Sequence, residues 1–150
     1  MSTPGTDLPT VAIGDSDGLI AILHEEDKNF QIAKKTVAQL VQNDIQVIFP
    51  LTTIVETVTT LKRKLNKPQL AANVARQITK GELAIETVDT KLLSAALAMF
   101  DPAGTKQNTL FDAIVAACAK KYKTNVIFSF DGWYKKLGFK FATDFASLER

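Results

Sequence analysis

The chain has little of the chemistry that sulfur and imidazole usually carry. Its 150 residues include one cysteine, Cys118, and one histidine, His24. A lone cysteine cannot close an intrachain disulfide, so the fold must rest on packing, and a reducing cytoplasm suits it best. A zinc site of the usual nitrogen and sulfur kind lacks its ligands. No apolar run reaches the length of a membrane span. The opening MSTPGTDLPT lacks the basic start and apolar core of a signal peptide, so residues 1–9 read as a loose leader. Charge of one sign is also scarce in excess. The formal net charge of +2 argues against a strongly basic nucleic-acid coat but permits a local basic patch. No repeat or low-complexity tract is present. The hydrophobic share of 46% and charged share of 23% are ordinary for a soluble globular chain, and the length suits one domain, placed at residues 10–150.

Strand-like runs alternate with helical patterns. Val11 to Gly14, Ile45 to Phe49, Leu83 to Val88 and Val126 to Phe130 read as strands, with a short fifth at Phe139 to Phe141. The last long run, VIFSF, is almost continuously apolar, as in a strand covered on both faces. Helical stripes occur at Leu19–Leu23, at Phe30, Ala33, Val37 and Leu40, and at Ile54, Val58, Leu61 and Leu65. A fourth helix starts at Pro68 and ends at Gly81, a fifth spans Lys91 to Phe100, and a sixth runs from Leu110 to Tyr122. The sixth, LFDAIVAACA, is apolar nearly all round and should be buried. A short helix follows Asp131 and ends near Gly138. Alternation predicts an α/β class with a central, mainly parallel sheet of four or five strands flanked by helices. Two consecutive helices between Leu51 and Lys80 interrupt it and predict a helical hairpin beside the sheet.

Four carboxylates sit near these handovers: Asp15, Glu56, Asp112 and Asp131. Each has a structural excuse. Asp15 or Ser16 can cap the first helix, Thr53-Ile-Val-Glu56 fits a capping box, Thr109-Leu-Phe-Asp112 is a looser version, and Asp131 can cap the last short helix. Together they point further. The helix starts of a parallel sheet share one edge, which is where ligands bind. Neither Glu56 nor Asp112 has a cation one turn on, and a carboxylate on the most buried helix needs a partner. Oxygen-only ligands suit a hard cation, Mg²⁺ or Mn²⁺.

At these residues the chain resembles the PIN-domain ribonucleases. The likeness is carried by IGDSDGLIAIL with Asp15, PLTTIVETVTTLKRK with Glu56, TLFDAIVAACAKKYKTNVIFSFD with Asp112 and Asp131, and the closing WYKKLGF. It extends from about Val11 to Phe141, and size and single-domain form resemble the VapC-like toxins of toxin–antitoxin pairs. The resemblance implies a metal-dependent endoribonuclease in which Asp15, Glu56, Asp112 and Asp131 hold one or two metal ions and Ser129, matching the family's hydroxyl residue two before the last acid, joins them in the catalytic set. In-line attack of an activated water on RNA would leave a 5′-phosphate and a 3′-hydroxyl. Two metals about 3.5–4 Å apart need shared anionic ligands to offset their repulsion. The toxin likeness further implies a homodimer and an antitoxin seated near the hairpin of Leu51 to Lys80. Two departures stand out. Asp17 adds an acid that is either an outer-shell group, like Ser16, or solvent-facing, and Phe30 stands where the family often has a histidine.

Two other readings compete. Asp15-Ser-Asp17-Gly18 after an apolar strand resembles the nucleophile motif of haloacid-dehalogenase-like phosphatases, but leaves Glu56 and Asp112 without a role. A catalytically silent PIN-like module binding RNA or a partner is the other. Basic clusters at Lys62-Arg63-Lys64 with Lys67, at Lys120-Lys121 with Lys123, and at Lys135-Lys136 are either solvated helix ends or phosphate contacts. Arg63, Lys64 and Lys67, which follow Glu56, are the candidate RNA contacts. Trp133 and Tyr134 can stack on a base or fill the core.

Overall fold

The computed structural model describes residues 9–147, so the expected leader lies outside the described residues except for Pro9. Five strands form one sheet: β1 (Val11–Gly14), β2 (Gln46–Pro50), β3 (Ala84–Glu86), β4 (Val126–Phe128) and β5 (Lys140–Phe141). Their order is β3-β2-β1-β4-β5 and every pairing is parallel. The helices are α1 (Ser16–Leu23), α2 (Phe30–Gln42), α3 (Leu51–Arg63), α4 (Pro68–Thr79), α5 (Thr90–Leu97), α6 (Leu110–Lys121), α7 (Trp133–Lys136) and α8 (Ala142–Ser147).

Strand period 2 splits the core into two layers. Ile13 and Ile127 face Val115, Ala116 and Ala119 of α6 on one side of the sheet. Ala12, Val126 and Phe128 face Ala33 and Leu40 of α2 on the other. All of Asp112 to Ala119 is buried, so α6 is the covered helix that its apolar run predicts. A third cluster joins Leu19 and Ile20 of α1 to Phe49, Ile54, Leu61 and Val74, and this seats the α3–α4 hairpin against the first helix. Gly81, at φ 70°, takes the left-handed turn that stops α4.

Several boundaries differ from the sequence reading. β4 stops at Phe128 rather than Phe130: the Phe128 carbonyl still takes a backbone partner, the Asp15 N–H at 3.1 Å, but beyond it the Phe130 N–H donates to the Asp17 side chain. β3 is shorter than Leu83 to Val88, and α5 ends at Leu97. Helix α8 is an addition, packed on α2 and β4. Glu56 is not in a capping box. Its helix starts directly at Leu51 after Pro50, so Thr53 is a buried interior residue and Glu56 lies in the second turn. The Thr109–Asp112 box does form, with the Thr109 N–H donating to Asp112 Oδ2 at 2.9 Å.

Candidate functional site

The register of two neighbouring strands builds the site. Gly14 of β1 pairs with Phe128 of β4, so the chain leaves both strands side by side. Asp15 follows the first strand and Ser129 the second. Asp15 caps α1, accepting the Ser16 N–H at 2.7 Å. Gly18 lets that helix close onto β4, since a Cβ there would lie 2.6 Å from the Phe128 carbonyl oxygen. That approach brings Asp17 to Ser129. Asp17 Oδ2 accepts the Ser129 hydroxyl at 3.1 Å and the Phe130 N–H at 2.9 Å. The Ser129 oxygen in turn accepts the Asp131 N–H at 3.1 Å and stands 3.5 Å from Asp15 Oδ2.

Two acids reach the same edge from other elements. Asp112, in the first turn of α6, is 8% exposed, and Tyr134 joins it to Asp15. The Tyr134 hydroxyl donates to Asp15 Oδ2 at 2.7 Å and lies 3.5 Å from Asp112 Oδ1. Asp131 accepts the Asn108 amide at 3.0 Å and the Trp133 N–H at 2.9 Å. Glu56 arrives on α3, which packs on both α1 and α6. Its Oε1 is buried with no hydrogen-bond partner, as is Asp17 Oδ1.

Burial and mutual repulsion govern the charges. Burial pushes the Asp15 carboxyl well above the usual range, the Asp17 and Asp112 charges push it further, and the Tyr134 and Ser16 hydrogen bonds oppose them. Asp17 is raised by burial, against hydrogen bonds from Phe130 and Ser129. Burial also raises Glu56, against the Ser16 hydroxyl, with Asp112, Asp17 and Lys64 acting more weakly. Asp112 is raised by burial and by the Asp131 charge, while Thr109 and Asn108 lower it.

The donor set has the chemistry of a hard cation: carboxylate oxygens, two of them orphaned in the interior. The carboxylates are nonetheless turned to internal partners. Among the described residues, no group of three or more His, Cys, Asp or Glu side chains is arranged to hold a metal ion as it stands. The chemistry of these oxygens fits a divalent cation.

The expected basic contacts are more scattered. Arg63 and Lys64 are exposed at the end of α3. Lys67 is tied to Glu26 at 3.3 Å, and Lys121 to Glu86. Ser16 lies between the acids, its N–H on Asp15 and its hydroxyl on Glu56. Tyr134 fills the core, one of the two places its sequence allowed, whereas the sequence reading missed Asn108 and the Tyr134 hydroxyl's bond to Asp15. Asn108 could have been suspected as the polar residue just before the Thr109 cap. Nothing local marks a tyrosine three residues past Asp131 as a partner of Asp15.

A parallel sheet in this order, with acids gathered at the carboxyl end of its central strands, defines an α/β domain with an acidic ligand edge. Residues 14–140 match the family profile described as the PIN domain, and the chain belongs to that family. No curated protein sequence matches it. A solved structure, the Mycobacterium tuberculosis sarcin-ricin loop cleaving toxin VapC20, is similar in fold, with a TM-score of 0.74 and 20% identity over 87% of this chain and 96% of that one. Family membership displaces the phosphatase reading, and Asp17, bound to Ser129 and the Phe130 N–H, is not placed as a free acid or base.

Proposed function

We propose that this chain is a metal-dependent endoribonuclease of the VapC-like kind, the toxin of a toxin–antitoxin pair. The observation that carries the reading is the buried, hydrogen-bonded cluster of Asp15, Asp17, Asp112 and Asp131 around Ser129 and Tyr134, with unpartnered Glu56 and Asp17 oxygens beside it. PIN-domain membership supports it, and the fold is shared with a toxin described as cleaving the sarcin-ricin loop.

In this proposal Asp15, Glu56, Asp112 and Asp131 hold Mg²⁺ or Mn²⁺, one ion or two. When bound, the cation supplies positive charge against the phosphodiester oxygens and acidifies water. The protein's own contribution is orientation. Tyr134 aims Asp15 Oδ2 toward Asp112 Oδ1, and Asn108 and the Trp133 N–H fix Asp131. Ser129 links Asp17 to the Asp131 backbone and so ties the α1 and β4 corners together. Exposed Arg63 and Lys64 would meet RNA phosphates along α3. Lys67 would have to leave Glu26 to do so.

The test is cleavage of single-stranded and hairpin RNA with Mg²⁺, with Mn²⁺ and with chelator, alongside Asp112→Asn. The expected products carry 5′-phosphate and 3′-hydroxyl ends, and both chelator and substitution abolish them. Cleavage that survives either one would overturn the metal assignment. Light scattering of the purified chain tests the proposed homodimer. A small adjacent upstream reading frame whose product binds and inhibits the chain would support the antitoxin and the cytoplasmic setting. Among the described residues no helix is long and apolar enough to cross a membrane.

A further inference from the structure

The α5–α6 connection, residues 98–109, is long for a link between neighbouring helices, and such loops tend to carry function. With α7 it lines a cleft of about 190 Å³ whose Asn108 and Trp133 bond to Asp131. Met99, Phe100 and Trp133 supply its apolar part, Asn108 and Thr105 polar groups, and Lys136 a cation.

We propose that this cleft is a nucleobase subsite for the RNA residue flanking the scissile phosphate, an inference that rests on the nuclease reading above. Four observations carry it. The cleft is wired to the acidic centre: Asn108 donates to Asp131 Oδ2 at 3.0 Å, and the Trp133 N–H donates to Asp131 Oδ1 at 2.9 Å. A ring held there is therefore one residue's reach from the acids. The volume lies below the ~300–1,000 Å³ of pockets for drug-sized ligands, and it suits one planar ring rather than a whole nucleotide. Trp133 is half-buried, packed on the α6 core and edge-on to Tyr134 with ring centroids 5.3 Å apart, so the indole that lines the cleft is already ordered and would meet a base at little entropic cost. The polar side is a hydrogen-bonded pair, Thr105 Oγ1 donating to Asn108 Oδ1 at 2.9 Å. After its bonds to Asp131 and Asp112, and with Thr105 on its oxygen, Asn108 keeps one Oδ1 lone pair for a donor on a base edge. Asp101, on the same rim, turns its carboxylate to the Ala103 N–H at 3.0 Å, while exposed Lys136 offers a cation to the strand's phosphates.

Trp133 is the single tryptophan of the chain, so its emission reports the cleft directly. The probes are a ten-nucleotide single-stranded RNA and an abasic strand of the same length, titrated in chelator so that no cleavage occurs. The expected result is saturable quenching by the RNA and none by the abasic strand. Trp133→Leu should weaken RNA binding by about 5- to 150-fold in fluorescence anisotropy, and Trp133→Phe should retain most of it. Lys136→Ala, on the surface, should weaken both strands and lower the salt slope by about one. RNA binding and metal-dependent cleavage with an unmoved Trp133 emission would overturn the base subsite and leave the nuclease standing. Absence of both binding and cleavage would overturn the two together. Equal quenching by the abasic strand would show a backbone contact instead and would also overturn the subsite.

Discussion

Replacing Tyr134 by phenylalanine removes one oxygen atom from the centre of the acidic cluster and leaves the ring packing intact. The hydroxyl donates at 2.7 Å to a carboxylate that is 3% exposed, and Tyr134 itself is fully buried, so water cannot take its place without opening the core. A buried hydrogen bond to a charged group contributes about 1.5–3 kcal/mol. For a domain of this size each kcal/mol is worth about 2–4 °C, so Tyr134→Phe should lower the midpoint by roughly 3–12 °C. The hydroxyl also opposes the upward push on the Asp15 carboxyl, so its loss raises that group further. Because the hydroxyl favours the charged carboxylate, the deficit should grow as pH rises and be larger at pH 8 than at pH 5. Urea unfolding of the metal-free protein at the two pH values, with an unchanged m value, measures it. A loss below about 0.5 kcal/mol at pH 8, the range of neutral surface changes, would refute the claim that this hydroxyl holds Asp15.

Asp15, Asp17, Glu56 and Asp112 are all raised, so the folded chain binds more protons than the unfolded one above about pH 4. Their favourable contribution is complete below that point and is lost as pH rises through the raised values; metal-free protein should melt higher at pH 5 than at pH 7.5, and Mg²⁺ should narrow the gap in differential scanning fluorimetry. Asp112→Asn removes one repelling charge, so it should raise the metal-free melting point at pH 7.5 while reducing the gain on adding Mg²⁺. Asn108→Ala frees Asp131 from its amide partner and should cost about 10- to 100-fold in metal affinity or cleavage, read by calorimetry and RNA turnover. Gly18→Ala forces a Cβ against a backbone oxygen that cannot rotate away; it should cost about 1–3 kcal/mol in urea unfolding.

Much of the fold is legible in periodicity. The run in α6 declares its own burial, and the alternating strands declare an α/β sheet, because both signals come from which side chains must leave water. Boundaries are less legible where a side chain takes over a backbone partner. VIFSF looks like one strand to its end, yet its last residues serve Asp17 and Asp131. Local sequence cannot show that competition, since Asp17 lies over a hundred residues away. The capping box at Glu56 misled for a related reason. Thr-x-x-Glu is a good local start signal, but Pro50 already supplies the fixed φ that starts the helix, one turn earlier. Asp112 shows the same signal used as expected, because Thr109 does take the N-cap position and the box closes on Asp112.

The sequence by itself determined the oxygen-only chemistry of the edge, through its lack of cysteine and histidine, and the order of the acids along the chain. It also determined the class of sheet and the burial of the helix that carries Asp112. Tertiary structure alone decided how these acids are held. The parallel pairing of Gly14 with Phe128 sets Asp15 beside Ser129, and the seating of α7 sends the Tyr134 hydroxyl between Asp15 and Asp112. The reason is physical: which residues carry charge is a local property, whereas burial and the partners that stabilise a buried charge exist only once distant segments pack.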